Sequence, residues 1–355
     1  MLSSHLISDA ALEVNPLVTG WDEQWRPTRL SLAGRSSIDG SPDDVRAAAA
    51  HLDDRAAGPA CATLDAFGVH EFNLPCPAGA LSCGRRTLVM GIINATPDSF
   101  SDGGKCGDAG AAVEHGLRLA AEGADILDVG GESTRPGAEA VDAAEEIRRT
   151  EAVVSELSKQ SGVPVSIDTS KAAVAAAAID AGASIVNDVT ALRDPGMAPL
   201  VAESGAALVL MHMQGEPRTM QVEPQYGDVM GDIALCLRRA LARAAGAGVA
   251  PGQVIVDPGI GFGKTLAHNI EIVRRLPVLA SLGRPILMGC SRKSMIGRVL
   301  GLPVGERLSA TIALNILSMA GRASIIRVHD VREAKEAAAM ADAVLSAGPE
   351  TFGDR

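Results

Sequence analysis

Residues 164–188, PVSIDTSKAAVAAAAIDAGASIVND, contain one complete strand–turn–helix–strand unit. A short apolar run at 164–168 ends on Asp168, a polar turn follows, and residues 171–181 form an alanine-rich segment of helical character. Gly182 falls where a helix C-cap is wanted, and a second apolar run at 185–188 ends on Asn187 and Asp188. Strands apolar along their length have no water-facing side, so both faces are covered, as in a parallel sheet flanked by helices.

Outward from this unit, the pattern recurs from Leu88 onward. Apolar runs at 88–94, 124–130, 164–168, 185–188, 207–212, 254–257, 285–288 and 324–328 make eight. Helix-like segments such as 108–122, 142–161, 171–181 and 331–346 lie between them, with Gly123, Gly162, Gly182 and Gly205 at C-cap positions. Eight such units close a (β/α)8 TIM barrel in the α/β class. A doubly wound open sheet is the alternative; it would carry a Gly-rich dinucleotide turn after its first strand, and residues 91–100, GIINATPDSF, are not one. Residues 1–80 do not follow the repeat and read as an N-terminal extension. Within it, 35–59 reads as exposed linker or weak helix, and 67–74 with 79–83 as a hairpin covering the bottom of the barrel. The barrel is expected over 81–348, with a tail at 349–355.

The 355 residues are 47% hydrophobic, enough for a large core. Thirty-two Lys and Arg against 43 Asp and Glu leave a net charge of −11, which repels a phosphate backbone, and 2% aromatics offers no stacking platform, so nucleic-acid binding is not expected. Six cysteines without a CxxC pair argue against a zinc site or a disulfide framework. The first residues lack a basic n-region and carry Asp9 and Glu13, and no stretch is long and apolar enough to span a bilayer, so a cytoplasmic protein is expected.

The polar residues cluster at one place in each unit. Strand ends carry Asn94, then Asp128 and Glu132, Asp168, Asn187 with Asp188, His212, Asp257, Ser291-Arg292-Lys293, and Arg327 with His329. In a barrel these positions converge on one rim, where (β/α)8 active sites are built. Any single one reads equally well as a cap for the following helix; eight strands behaving alike are harder to explain that way. Asp168, Asn187, Asp257 and Lys293 suit a flat heterocycle bearing N–H and C=O groups. Arg135, Arg327, His329 and Asn94 suit a phosphate or diphosphate, and the neutral Asn94 can give Mg2+ an oxygen. Gly- and Pro-rich loops at 96–104 and 130–137 read as lids or as ordinary turns.

Three motifs mislead. Residues 259–265, GIGFGKT, look like a phosphate loop, but Pro258 stands where its first glycine belongs, and Lys264 breaks GxGxxG. Lys293 as a Schiff-base lysine fits poorly beside Ser291 and Arg292. His212, between Met211 and Met213, reads as a core histidine rather than a metal ligand.

Taken in order, MGIINATPDSFSDGG (90–104), DVGGESTRPGA (128–138), VSIDTSK (165–171), IVNDVTAL (185–192), MHMQGEPRTMQ (211–221), VDPGIGFGKT (256–265), GCSRKSMIG (289–297) and IIRVHDV (325–331) resemble the dihydropteroate synthase family. The resemblance implies a pterin-binding TIM barrel, cytoplasmic and homodimeric. Its activity would be a transferase reaction of folate biosynthesis: 6-hydroxymethyl-7,8-dihydropterin diphosphate and 4-aminobenzoate give 7,8-dihydropteroate and diphosphate. It implies pterin binding by Asp168, Asn187, Met211, Asp257 and Lys293, with Asp168, Asp257 and Lys293 catalytic. Diphosphate would fall to Asn94, Arg327 and His329, with Mg2+ on Asn94. Thr134, Arg135, Phe262, Ser291 and Lys293 would receive 4-aminobenzoate, and sulfonamides, which mimic it, would inhibit. Ala95, Cys290 and the long lead-in depart from the family pattern. A pterin-binding methyltransferase serving a corrinoid protein, or a pterin-binding module without turnover, would share the barrel; the former has no need of the Arg327/His329 pair.

Overall fold

The structure, a computed structural model, describes residues 16–21, 27–32, 36–53, 55–95, 107–133, 140–216 and 218–346. The chain opens with strands β1 (Pro16–Trp21), β2 (Pro27–Leu32) and β3 (Ser36–Asp39), which form an antiparallel sheet in that order. Helices α1 (Pro42–Ala50) and α2 (Ala57–Phe67) follow, then a two-stranded pair, β4 (Phe72–Leu74) and β5 (Leu81–Cys83).

From there strand and helix alternate. In order come β6 (Leu88–Asn94), α3 (Gly107–Ala121), β7 (Ile126–Gly130), α4 (Ala143–Gln160), β8 (Val165–Asp168), α5 (Ala172–Asp180), β9 (Ile185–Asp188), α6 (Met197–Ser204), β10 (Ala207–Met211) and α7 (Val229–Gly246). The run ends with β11 (Val254–Asp257), α8 (Leu266–Arg274), β12 (Leu287–Met288), α9 (Ser294–Leu300), α10 (Leu308–Ala320), β13 (Ile325–Val328) and α11 (Val331–Ser346). Strands β6 to β13 are all parallel and form one eight-stranded sheet in the order β11-β10-β9-β8-β7-β6-β13-β12. The ring closes through a single parallel bridge, Val256 to Ile286, and a 3.0 Å hydrogen bond from Val256 N–H to the Pro285 carbonyl. The expected (β/α)8 barrel is therefore what the chain builds.

The expected runs match the strands closely, except the seventh, where only Leu287–Met288 is strand. Pro285 has no N–H to give a neighbour, so the pairing starts late and by its carbonyl alone. The helices form for local reasons as well. At α4, Asp142 accepts from the Glu145 N–H at 2.8 Å, and Val153, Val154 and Leu157 share the buried face. Gly205, in the left-handed region at φ 69°, closes α6 with its N–H on the Val201 carbonyl.

The extension is more ordered than its composition implies. Of the two readings of 35–59, exposed linker or weak helix, the described residues carry helix, with β3, α1 and the start of α2. Ser41 and Asp44 form a reciprocal capping box, Pro42 occupies the first turn, and α1 buries Val45 and Ala49. Val18, Leu30, Val45, Leu64 and Phe67 then make a small core with Ala280, which lies in the 3-10 turn Leu276–Leu282 on the outside of the barrel. Val18 N–H donates to Ser281 Oγ at 2.9 Å, Arg238 of α7 donates to the Pro16 carbonyl, and Arg322 donates to the Phe67 carbonyl at 2.7 Å. Leu74 and Cys83 of the β4–β5 pair join Leu88, Met90, Ile126, Ile185 and Ile325, at the beginnings of the barrel strands.

Candidate active site

At the opposite end of the strands the register brings the polar residues level. Asn94 pairs with Gly130, Gly130 with Asp168, and Asp168 with Asn187; Met211 stands beside Asp257. On the closing side, Arg327 of β13 sends its guanidinium across the mouth. Nε donates to Asp128 Oδ2 at 2.6 Å, and Nη2 donates to Asp168 Oδ2 at 2.8 Å. Asn187 donates to the same Asp128 oxygen at 3.1 Å. Asp128, Asp168, Asn187 and Arg327 thus form one hydrogen-bonded chain over four strands.

Two oxygens in that chain stand out. Asp128 Oδ1 and Asp168 Oδ1 are buried and have no hydrogen-bonding partner among the described residues. Buried acceptors are nearly always paired, so a ligand with N–H donors is the natural complement. Burial pushes the Asp168 carboxyl above the usual range; Arg327 opposes this, and Asp128 adds to it. The same Asp128 and Asp168 carboxylates hold the Arg327 guanidinium charged, with a pKa above its ordinary value despite its burial.

The other half of the mouth is built by the turns after β11 and β12. Burial also raises Asp257, to about 6, although its Oδ1 accepts from the Gly259 N–H at 2.6 Å and Lys293 and Lys264 favour its charge. Lys293 is pushed down to about 8 by burial, with Arg327 repelling it and Asp257 and Asp168 attracting it. Its Nζ lies 4.2 Å from the centroid of the Phe262 ring, a cation–π contact. Phe262 in turn packs with Val189, Met211, Met213 and Met220, an apolar wall beside the charges.

Phe262 is delivered by a glycine-dense turn. Gly259, Gly261 and Gly263 sit at φ 70°, 86° and 61°, and a Cβ on Gly263 would lie 2.3 Å from the Gln214 carbonyl oxygen. Only glycine allows the turn after β11 to lie so close on the turn after β10. The Ser291-Arg292-Lys293 turn is likewise held: Arg292, itself at φ 55°, donates twice to Asp330, and Arg307 donates to the carbonyls of Arg292 and Lys293. Ser291 Oγ lies 2.9 Å from His329 Nδ1, and the His329 N–H also points to it at 3.2 Å. Burial and Arg327 lower His329 to about 4, leaving a neutral imidazole at physiological pH.

Asp168, Asn187, Met211, Asp257, Phe262, Ser291, Lys293, Arg327 and His329 are therefore gathered at one mouth. Asn94 lies on its rim with an exposed side chain. Thr134 and Arg135, the loop 96–104 and residues 134–137 of the second loop lie outside the described residues. Two strand-end groups serve the scaffold instead. Asp188 accepts from the Thr190 and Leu192 N–H groups and from Thr190 Oγ1, tying down the left-handed residues Ala191 and Leu192. Glu132 binds Lys171, which also binds the buried Glu146. The separation into a heterocycle half and an anion half is less clean than the sequence implied, because Arg327 is bonded to carboxylates of the first half. Lys264, dismissed with the failed phosphate motif, is fully interior beneath the Phe262 turn. Its clue was a lysine directly after G-F-G at a strand end.

The family of pterin binding enzymes matches residues 90–329, the barrel from β6 to the end of β13. Dihydropteroate synthase of Escherichia coli K12 is 45% identical over 259 residues, 73% of this chain and 92% of that protein. The chain belongs to the dihydropteroate synthase family of pterin-binding enzymes. Among solved dihydropteroate synthases, that of Xanthomonas albilineans with 4-aminobenzoic acid superposes with a TM-score of 0.74 at 43% identity, covering 78% of this chain and all of the other. The Yersinia pestis enzyme in a sulfonamide drug complex also gives 0.74, at 42% identity and the same coverage. The family match begins inside β6, so the β1–β3 sheet, α1 and α2 lie outside it.

Proposed function

We propose that this dihydropteroate synthase family member joins 6-hydroxymethyl-7,8-dihydropterin diphosphate to 4-aminobenzoate, releasing diphosphate and forming 7,8-dihydropteroate. The observation that carries the reading is the pairing of buried carboxylates, Asp168 and Asp257, with Lys293 lying against the Phe262 ring. The unpartnered Asp168 and Asp128 oxygens match the N–H edge of a pterin, Asn187 supplies an amide, and Met211 packs beside the ring.

In the reaction the methylene C–O bond breaks, the electron pair leaves on diphosphate, and the arylamine nitrogen bonds to the methylene and then loses a proton. Positive charge develops on the pterin, and fixed carboxylates at Asp168 and Asp257 stabilise it. The diphosphate meets Arg327, whose Nη1 takes part in neither ion pair, together with His329 and Asn94. Ser291 orients His329 and borders the 4-aminobenzoate position, with Phe262, Lys293, Thr134 and Arg135 as its other contacts. A free arylamine needs no strong base. Asn94, with its neutral amide on the rim of the mouth, would hold a Mg2+ that accompanies the diphosphate. When bound, that ion neutralises leaving-group charge.

A homodimer accords with the apolar side chains exposed on adjacent helices: Ile316 and Leu317 of α10, Met340, Val344 and Leu345 of α11. Cytoplasmic residence accords with the free thiols of the five described cysteines; no described helix is long and apolar enough to cross a membrane. The test supplies the pterin diphosphate, 4-aminobenzoate and Mg2+ to the purified protein. Dihydropteroate formation that a sulfonamide suppresses is expected. Its absence, or methyl transfer from methyltetrahydrofolate to cobalamin in its place, rejects the reading.

A further inference from the structure

Lys264 is the buried charge that the proposed chemistry leaves unused. Its side chain is 2% exposed, deeper than any cation of the mouth. The ammonium has three hydrogens to place and three acceptors around it: the Phe262 carbonyl at 2.8 Å, His212 Nδ1 at 3.0 Å and the His212 carbonyl at 3.2 Å. Burial lowers Lys264 to about 7 while Asp257 favours its charge, and the three acceptors around Nζ are what make the ammonium tolerable in the interior. His212 complements it: burial and the Lys264 charge lower the imidazole to about 3, so it stays neutral and presents a lone pair at Nδ1.

The three acceptors belong to two different turns. His212 follows β10, and Phe262 follows β11, so Lys264 stitches the end of one strand to the loop of the next. The neighbouring bonds of that loop go elsewhere: Gln221 donates to the Gly261 carbonyl, Tyr226 OH donates to the Gly263 carbonyl at 2.8 Å, and Asn269 Oδ1 accepts from the Gly261 N–H at 2.7 Å. The carbonyl of Phe262 itself is taken by Lys264. A ring whose main chain moved would also move relative to Lys293, 4.2 Å from its centroid.

We propose that Lys264 is a positioning residue for the aromatic amine substrate: by pinning the Phe262 carbonyl to the end of β10, it sets where the Phe262 ring meets 4-aminobenzoate. This rests on the proposed role of Phe262. Small misplacements of a positioned group are costly in rate or binding, while a purely architectural lysine would alter folding without favouring one substrate.

The experiment replaces Lys264 by methionine (K264M), measures steady-state kinetics for both substrates, and compares the variant with Phe262→Leu and with the double variant. K264M is expected to raise the KM for 4-aminobenzoate about tenfold, with kcat and the KM for the pterin diphosphate within about twofold. The double variant should be no worse than Phe262→Leu alone, because the first change acts through the second. An unchanged KM for 4-aminobenzoate, equal losses for both substrates, or multiplying effects in the double variant overturn the proposal. Should K264M fail to fold by circular dichroism, Lys264→Gln, which retains one donor toward Phe262, is read the same way, with a smaller selective rise expected and no rise overturning the claim. Wild-type turnover is the control: a wild-type protein that forms no dihydropteroate defeats the functional reading, whereas an active wild type with an unselective variant defeats only the role of Lys264.

Discussion

The two ends of the barrel are made by the same eight strands and bury opposite kinds of group. At the strand beginnings Leu88, Met90, Ile126, Ile185, Leu287 and Ile325 meet Leu74 and Cys83 of the β4–β5 pair in an apolar cluster, with the Asp125 ion pairs to Arg86 and Lys335 at its edge. At the strand ends, Asp128, Asp168, Asp257, Lys293 and Arg327 crowd together, and two carboxylate oxygens lack a partner among the described residues. Single strands show both states: β13 begins with the buried Ile325 and, two residues later, presents Arg327 to the mouth. Apolar packing at the strand beginnings and between strands and helices lets the strand ends keep an electrostatically costly arrangement for their ligands.

The sharpest way to break that contrast is to damage each end separately. Lys293→Ala should lower turnover by at least about 10²-fold while the melting temperature stays close to wild type, measured by steady-state rates and thermal unfolding. Burial already disfavours the Lys293 charge, so its removal should cost the fold less than it costs the chemistry. Leu88→Ala, at the other end, should reverse the pattern: about 2–5 kcal/mol less stable in denaturant unfolding, with kcat per folded molecule unchanged. A stability loss in the first variant matching that in the second would erase the division.

The mouth should also announce itself through pH. Burial raises Asp168 to about 7 and Asp257 to about 6, and both must be ionised to stabilise cationic pterin, so kcat/KM should begin to fall as pH drops below about 7. Lys293 titrates near 8 and must keep its proton, so the other limb should fall above about 8. Stability runs the other way on both sides. The folded state holds the Asp257 proton more tightly than the unfolded chain, so this group's contribution declines as pH rises from 3.8 to about 6. The unfolded chain holds the Lys293 proton more tightly, so its contribution improves as pH rises from about 8 to 10.5. Opposed activity and stability profiles would sharpen the comparison; parallel ones would dissolve it. The smallest effect belongs outside the barrel: Ser41→Ala should cost about 1 kcal/mol in unfolding and leave both kinetic constants untouched.

Legibility followed the same divide. The barrel could be read because each strand states its period and its end, as residues 164–188 do, and the helices close on glycines. The rim could be read because Asp168, Asn187, Asp257, Lys293 and Arg327 are polar where a buried strand has no structural use for them. What stayed hidden depends on partners distant in sequence. Nothing near Arg327 says that it will cross to Asp128 and Asp168, 199 and 159 residues away. Asp188 looks like a rim ligand until Thr190 and Leu192 fold back on it, and Lys264 looks like a failed motif until His212 arrives from another strand. In the extension, the Ser41-Pro42-Asp43-Asp44 start signal was present but lay in a stretch whose Ser, Gly and Ala content masked the helix it opens.

The closure of the barrel has its own consequence. Seven neighbouring strand pairs share ladders, whereas β11 meets the approach to β12 by one bridge, Val256 to Ile286. Asp257 stands on one side of that seam and Lys293 on the other. Of all the staves in the ring, these two can change their spacing while breaking the fewest hydrogen bonds, so amide deuterium uptake should begin at this joint. The β1–β3 sheet packs on Ala280 and donates to Ser281, a few residues ahead of the same joint in sequence. The part of the chain that the family match does not reach is thus anchored on the segment that leads into the least-bonded seam of the ring.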